Sequence, residues 1–317
     1  MSTEKMMLIT IDTESDNQWD TGSGQSTENA RFLPRFQTAC EKFDFKPVYL
    51  VDYSMSRDPF LKEYLSERQN RALCEVGMHL HAWDTPPAHP LDESSRGRPY
   101  LIEYPDEVMR EKLRRLDGTL TEAFGRKCVS HRSGRWAMDE RYFRMLAELG
   151  YEIDCSVTPG VNWRGKVGAK SGGSDYSAAP RTPYLHPATG ILEVPVTIRT
   201  LHGTRFSLRG SPKAILKSGR DALLGRKVWM RPSLSRYEDM LRVLDMIDGE
   251  PGEGKYIELM MHSSEFMPGG SPYYETPRDI DEMYEQLDAL FAAIRSRGYR
   301  GITMRDAKDV LINCMER

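Results

Sequence analysis

The strongest constraint on the fold is the run Lys-Met-Met-Leu-Ile-Thr-Ile-Asp-Thr at residues 5–13, which is apolar at successive positions instead of alternating ones. A strand with one solvated face alternates. A strand apolar throughout is covered on both faces, the situation of parallel strands joined by crossover helices. The rest of the chain repeats that rhythm. Phe32, Phe36, Ala39, Cys40 and Phe43 recur at helical spacing before a second apolar run at 47–51, and Asp58-Pro59 opens a helix before a third run at 74–81. Helices are then expected from 105 to 124 and 139 to 149, the second closed by Gly150, around a fourth strand within 128–136. A fifth strand ends at Asp154. Residues 162–188 are rich in Gly, Ser and Pro and read as a long binding or covering loop. A strand at 191–199 carries Pro195 and so belongs at an edge or bulge. A helix at 235–247, a strand at 256–262, a helix at 279–297, a strand at 301–304 and a helix at 305–315 follow. The alternation predicts parallel strands with crossover helices in one domain over residues 1–317.

Bulk composition removes several function classes. The formal net charge of −3 gives no support to a nucleic-acid partner, and no stretch reaches the length of apolar residues that a transmembrane helix needs. Residues 1–5 run directly into the first strand without a signal-peptide pattern, which predicts a cytoplasmic protein. The five cysteines are odd in number, scattered and free of any Cys-x-x-Cys, so neither a disulfide framework nor a thiolate metal cluster is expected.

Chemistry concentrates at the strand ends. In a strand alternate side chains share a face, so His79 and His81 project together from Cα atoms about 6.5–7 Å apart. Asp12 and Glu14 likewise share a face where the first strand ends. Arg132, Asp154 and His262 end later strands. In a barrel the C-terminal strand ends meet at one face. Two histidines and a carboxylate form a common open ligand set for zinc or another divalent ion. A second carboxylate can take a proton from water, and a separate histidine can give one to a leaving amine.

The order of motifs resembles the polysaccharide deacetylases of the NodB-homology family. The stretches that carry it are Ile-Thr-Ile-Asp-Thr-Glu at 9–14, Glu-Val-Gly-Met-His-Leu-His-Ala-Trp at 75–83, His-Arg-Ser-Gly-Arg-Trp at 131–136, Asp-Cys-Ser at 154–156 and Leu-Met-Met-His at 259–262. The combination of His-Leu-His-Ala-Trp-x-x-Pro-Pro at 79–87, Arg-Ser-Gly-Arg-Trp at 132–136 and His-Ser-Ser-Glu-x-x-Pro-Gly-Gly-Ser-Pro-Tyr at 262–273 is most similar to the WalW-like branch associated with lipopolysaccharide biosynthesis. The resemblance implies a distorted, TIM-like (β/α) barrel with about seven parallel strands. It also implies a hydrolase that removes an N-acetyl group from a sugar of a polysaccharide, a lipopolysaccharide or a carrier-linked precursor. Carried over residue by residue, Asp12 matches the catalytic base, His79 the first metal histidine, Arg132 the arginine that holds the base, Asp154 the acid that tunes the histidine, and His262 the general acid. Trp136 forms one wall of the sugar groove, with Trp83, Arg135 and Tyr273 as further substrate contacts. The family's usual first motif has two adjacent aspartates, the second a metal ligand; here Thr13 stands in that place and Glu14 follows. Its two metal histidines are normally a helical turn apart, whereas Leu80 alone separates His79 from His81. The expected divalent metal ion, zinc first, therefore has Glu14, His79 and His81 as ligands, with His89 as a rival to His81.

Two alternatives stand beside this reading. The superfamily includes metal-independent hydrolases of small cyclic amides, which the altered ligand motifs would also fit. A barrel without catalysis could bind an anionic glycan or glycolipid through the basic stretch 205–231, in which eight Lys and Arg residues, Lys213, Lys217 and Arg220 among them, face Asp221 alone. That stretch is expected beside the site, where it would accept phosphate from a carrier-linked sugar.

Overall fold

The computed structural model describes residues 4–16, 18, 26–91, 98–202, 223, 225–252 and 254–315. Its centre is a nine-stranded sheet. The strands are β1 (Lys5–Thr13), β2 (Pro47–Val51), β3 (Glu75–Leu80), β4 (Ser130–Ser133), β5 (Ile153–Asp154), β6 (Tyr184–Leu185), β7 (Leu192–Glu193), β10 (Lys255–His262) and β11 (Arg300–Gly301). They follow the order β10-β1-β2-β3-β4-β5-β7-β6, with β11 also pairing to β1. Every pairing is parallel except β6 with β7. Between them run α1 (Leu33–Glu41), α2 (Pro59–Asn70), α3 (Asp106–Phe124), α4 (Glu140–Glu148), α5 (Tyr237–Gly249), α6 (Pro277–Ser296) and α7 (Met304–Met315). The curled sheet is a distorted (β/α) barrel.

Local chemistry starts several helices where the sequence places them. The Asp58 carboxylate accepts from Leu61 N at 2.9 Å with Pro59 in the first turn, and Asp139 accepts from Tyr142 N at 2.9 Å.

The period of two sorts each strand between two cores. Met7, Ile9 and Ile11 of β1 join Val76, Met78 and Leu80 of β3 and Ile257, Leu259 and Met261 of β10 in the cluster under the helices. Met6 and Leu8 join Val48, Leu50, Ile153 and Leu192 inside the barrel. Following the inward positions upward gives Thr10 and Asp12 on β1 with Glu14 just past its end, His79 on β3 with His81 just past its end, and Glu258 and His262 on β10. The barrel interior is thus apolar below and polar at the C-terminal ends.

One expected element divides. Residues 191–199 form no single strand: β7 ends at Glu193 and β8 (Ile198–Leu201) leaves to pair antiparallel with β9 (Arg226–Trp229). Pro195, lacking an N–H, sits in the break. The gap between β7 and β10 is closed irregularly. Val196 N donates to Val157 O at 3.0 Å, Met230 N to Thr197 O at 2.9 Å and Met260 N to Met230 O at 3.1 Å. Of the basic stretch, residues 205–222 and 224, including Lys213, Lys217 and Arg220, lie outside the described residues.

Candidate active site

Glu14, His79 and His81 come together as the strand periodicity predicts. One ligand atom from each lies within 4.8 Å of the others, and all three residues are buried. The imidazole rings stand 4.5 Å apart, nearly perpendicular. His79 Nδ1 donates to the Arg132 carbonyl at 2.9 Å, which turns Nε2 toward Glu14 Oε2, 3.5 Å away. His81 Nε2 lies 2.7 Å from the same oxygen. In its neutral form His79 then aims a lone pair at a carboxylate. Only a cation or a proton resolves that arrangement, and two ring nitrogens with one carboxylate oxygen suit a divalent ion with positions left open. Burial works against a charged His79, but Asp12 and Glu14 outweigh it and raise its pKa to about 9. Burial and the neighbouring His79 hold His81 below the usual histidine value. Packing depends on Gly134: a Cβ there would fall 2.5 Å from the Leu80 carbonyl and 2.6 Å from His81 Nδ1. His89 is exposed, its ring 6.0 Å from that of Tyr104, so it is His81 that joins the cluster.

Glu14 has a second neighbour. Its Oε1 lies 2.5 Å from His262 Nδ1, so one carboxylate touches an imidazole on each oxygen. Its backbone is held from both sides: Asn29 Nδ2 donates to Glu14 O at 2.9 Å, and Glu14 N donates to Ser263 Oγ at 3.2 Å. Burial raises the Glu14 carboxyl, but His262 first, then His79 and His81, pull it well below the usual carboxylate range.

Behind the cluster Arg132 spans the barrel interior. It donates through Nη1 to Asp12 Oδ1 at 2.7 Å, through Nη2 to Glu258 Oε1 at 2.5 Å and through Nε to the Cys155 carbonyl at 3.0 Å. Arg132 and Glu258 are fully buried. Burial pushes Asp12 up, while Arg132, His79 and His262 bring it below its ordinary value and so keep it ionised. Glu258, by contrast, is raised by burial despite Arg132. Its Oε2 finds no hydrogen-bond partner among the described residues.

Asp154 does not sit against His262, contrary to expectation. Ile153 points into the barrel, so Asp154 points outward beneath α4. There its Oδ1 lies 2.6 Å from His131 Nδ1 and accepts from Ser156 Oγ at 2.9 Å. The Tyr142 hydroxyl meets His131 Nε2 at 2.9 Å, and burial lowers the His131 pKa despite Asp154. The carboxylate against His262 is Glu14.

Above these groups opens a cavity of about 600 Å³ lined by Asp12, Glu14, His79, His81 and His262 at its floor. All four expected substrate contacts, Trp83, Arg135, Trp136 and Tyr273, line it, joined by Trp163, Trp229, Arg98, Tyr100, Lys166 and Arg231. The tryptophans form adjoining walls: Trp136 and Trp163 lie 6.1 and 6.4 Å from Trp229, and Trp83 packs 4.3 Å from His81. Arg135 and Trp136 are consecutive non-glycine residues in the left-handed region, at φ 56° and 64°. That conformation costs roughly 1–2 kcal/mol per residue. It is held by Tyr176 Oη donating to Trp136 O at 2.5 Å, Ser133 Oγ to Ala137 O at 2.7 Å and Met138 N to Ser174 Oγ at 3.0 Å.

Sequence reasoning missed Glu258, whose signal was a charge inside an apolar run at the same parity as His262. It also missed Trp163 and Trp229, brought by segments with no periodicity. Of the basic stretch, the described end contributes Arg231, paired with buried Glu265, while Arg226 pairs with Asp239 and Lys227 donates to Gly160 O.

No protein-family profile and no curated protein matches the chain. Solved structures match it in fold. One is a protein proposed to be a polysaccharide deacetylase, from Mycobacterium smegmatis, with TM-score 0.57 and 15% identity over 99% of this chain and 92% of that one. Another is a GH57 branching enzyme from Thermococcus kodakaraensis, with TM-score 0.53 and 11% identity over 98% and 71%. A third is the allantoinase Puue, with TM-score 0.51 and 13% identity over 96% and 89%. At these identities the likeness is one of fold.

Proposed function

We propose that this chain is a metal-dependent hydrolase that removes the acetyl group from an N-acetylated sugar, as part of a polysaccharide, a lipopolysaccharide or a carrier-linked precursor. The observation that carries the reading is the set Glu14, His79 and His81 placed between an ionised Asp12 and His262 on the floor of an aromatic-walled pocket. When bound there, a divalent ion, zinc first, supplies Lewis-acid polarisation of the amide carbonyl. Asp12, ionised and oriented by Arg132, takes a proton from the attacking water as it adds to the acetyl carbon. His262, oriented by Glu14, gives a proton to the nitrogen as the C–N bond breaks, so acetate and a neutral amine leave. Tryptophan faces suit the apolar faces of sugar rings, and four of them border the pocket.

The same features weigh against the alternatives. About 600 Å³ walled by four tryptophans is more space than a small cyclic amide fills. A binding protein gains nothing from two buried carboxylates on one buried arginine, an arrangement that is costly to desolvate. The test is metal analysis of the purified chain together with acetate release from N-acetylated sugars, for the wild type and Glu14→Gln. The expected result is about one divalent ion per chain and release of acetate, both lost in Glu14→Gln. A metal-free chain releasing acetate at the same rate after exhaustive chelation would overturn the metal assignment, and release from no N-acetylated sugar would overturn the activity.

A further inference from the structure

One wall of the pocket carries positive charge that the chemistry at the floor does not use. The only carboxylates lining the pocket among the described residues are Asp12 and Glu14, both committed to Arg132 and the imidazoles. Arg135 has no carboxylate partner among the described residues: it donates to the carbonyls of Arg98 and Val167, and its guanidinium lies over the Tyr100 ring, 4.1 Å from the centroid. Lys166 is exposed, and its Nζ makes no hydrogen bond or ion pair among the described residues. The Tyr100 hydroxyl donates to the Lys166 carbonyl at 2.6 Å, which joins these residues into one wall. Arg98 continues it, its guanidinium 5.0 Å from the Trp83 ring. The acid at the base of this wall, Glu103, lies outside the pocket lining and is occupied: it accepts backbone N–H bonds from Tyr100 at 2.7 Å, Ala169 at 2.9 Å, and Lys170 and Ser171 at 2.6 Å each.

We propose that Arg135 and Lys166, with Arg98 beside them, form a subsite for an anionic group of the substrate, a carboxylate or phosphate borne on or next to the acetylated sugar. The inference rests on the deacetylase reading above and adds a substrate class to it. A guanidinium stacked on a ring and anchored by two carbonyls keeps further N–H donors for an oxyanion at little entropic cost. Arg135 reaches the pocket from a left-handed backbone conformation, and strained backbone gathers at ligand clamps.

The test is calorimetric titration of the metal-loaded full chain with two matched pairs. The first is N-acetylglucosamine and its 1-phosphate. The second is di-N-acetylchitobiose and the disaccharide of N-acetylglucosamine with glucuronic acid. An anionic probe should bind on the order of tenfold tighter than its neutral partner, the worth of one charged hydrogen bond. Added salt should shrink the ratio. Preference within the first pair alone identifies phosphate as the group, and within the second alone a carboxylate. Arg135→Met should collapse the ratio, and because this residue also ties loops together, Lys166→Glu gives an independent arm that should reverse it. Equal affinity within both pairs, or a ratio unchanged in both folded variants, overturns the subsite. Acetate release from the same probes separates the two claims: an anion preference without release from any probe leaves the subsite standing and removes the deacetylase, whereas release without preference does the reverse.

Discussion

Replacing Arg132 by methionine removes the one cation shared by Asp12 and Glu258 while keeping most of the side chain's length. Arg132 is fully buried, its three contacts lie between 2.5 and 3.0 Å, and Glu258, fully buried as well, has no hydrogen-bond partner for Oε2 among the described residues, so its carboxylate has no solvent to turn to. Breaking a buried pair in this way costs about 3–5 kcal/mol, because the charge left behind is unsolvated. With an unfolding entropy of roughly 2.1 cal/mol/K per residue, a chain of this length should lose about 5–7 °C in Tm. Glu258 sharpens the expectation. Its folded pKa is raised above 4.5 even beside Arg132, so the folded state binds its proton more readily than the unfolded chain. Its penalty is therefore absent well below pH 4.5 and grows as pH rises through the folded value. Calorimetric melting of Arg132→Met should show a deficit that widens as pH rises above 4.5, and adding Glu258→Gln should recover on the order of 1–2 kcal/mol. A Tm within 1 °C of wild type, or a double variant less stable than Arg132→Met, would refute the account of Arg132 as the neutraliser of two buried acids.

His262→Ala should lower kcat for an N-acetylated sugar by roughly 10² to 10⁴-fold with little change in Tm, and lower the rate far less on an activated aryl acetate ester, whose leaving group departs without a proton; equal losses on both substrates would remove its role as acid. Lys112, buried beneath the Trp83 loop with Nζ on the carbonyls of Thr85 and Pro87 at 2.5 and 2.6 Å, has its pKa lowered by burial to about 8. Between pH 8 and 10.5 the unfolded chain holds this proton and the folded one does not, so wild-type stability relative to Lys112→Met should rise with pH by up to about 3 kcal/mol; chemical denaturation of both proteins across that range checks it, and a difference flat in pH would count against a strained charge.

The strands were legible because a strand covered on both faces is mostly apolar: residues 6–9, 47–51 and 256–261, Glu258 excepted, carry apolar side chains and are buried. The floor of the site was legible for the same local reason: residues two apart on a strand share a face, which brings Asp12 with Glu14 and His79 with His81 whatever the rest of the chain does. Parity also held information that motif matching passed over. Ile153 faces the barrel interior, so Asp154 had to face the helices, and Glu258 had to share the interior with His262. Other features depended on contacts between residues far apart in sequence. Glu14 meets His262 across 248 positions and Arg132 meets Asp12 across 120. Trp163 and Lys166 reach the pocket on a segment whose course is set by tertiary hydrogen bonds, and Trp229 reaches it at the end of β9, placed by pairing with β8. Local geometry fixes which face of a strand a side chain takes, and so the sequence determined which residues could enter the site; only the closed barrel decides which of them touch, because those pairings are made across its interior.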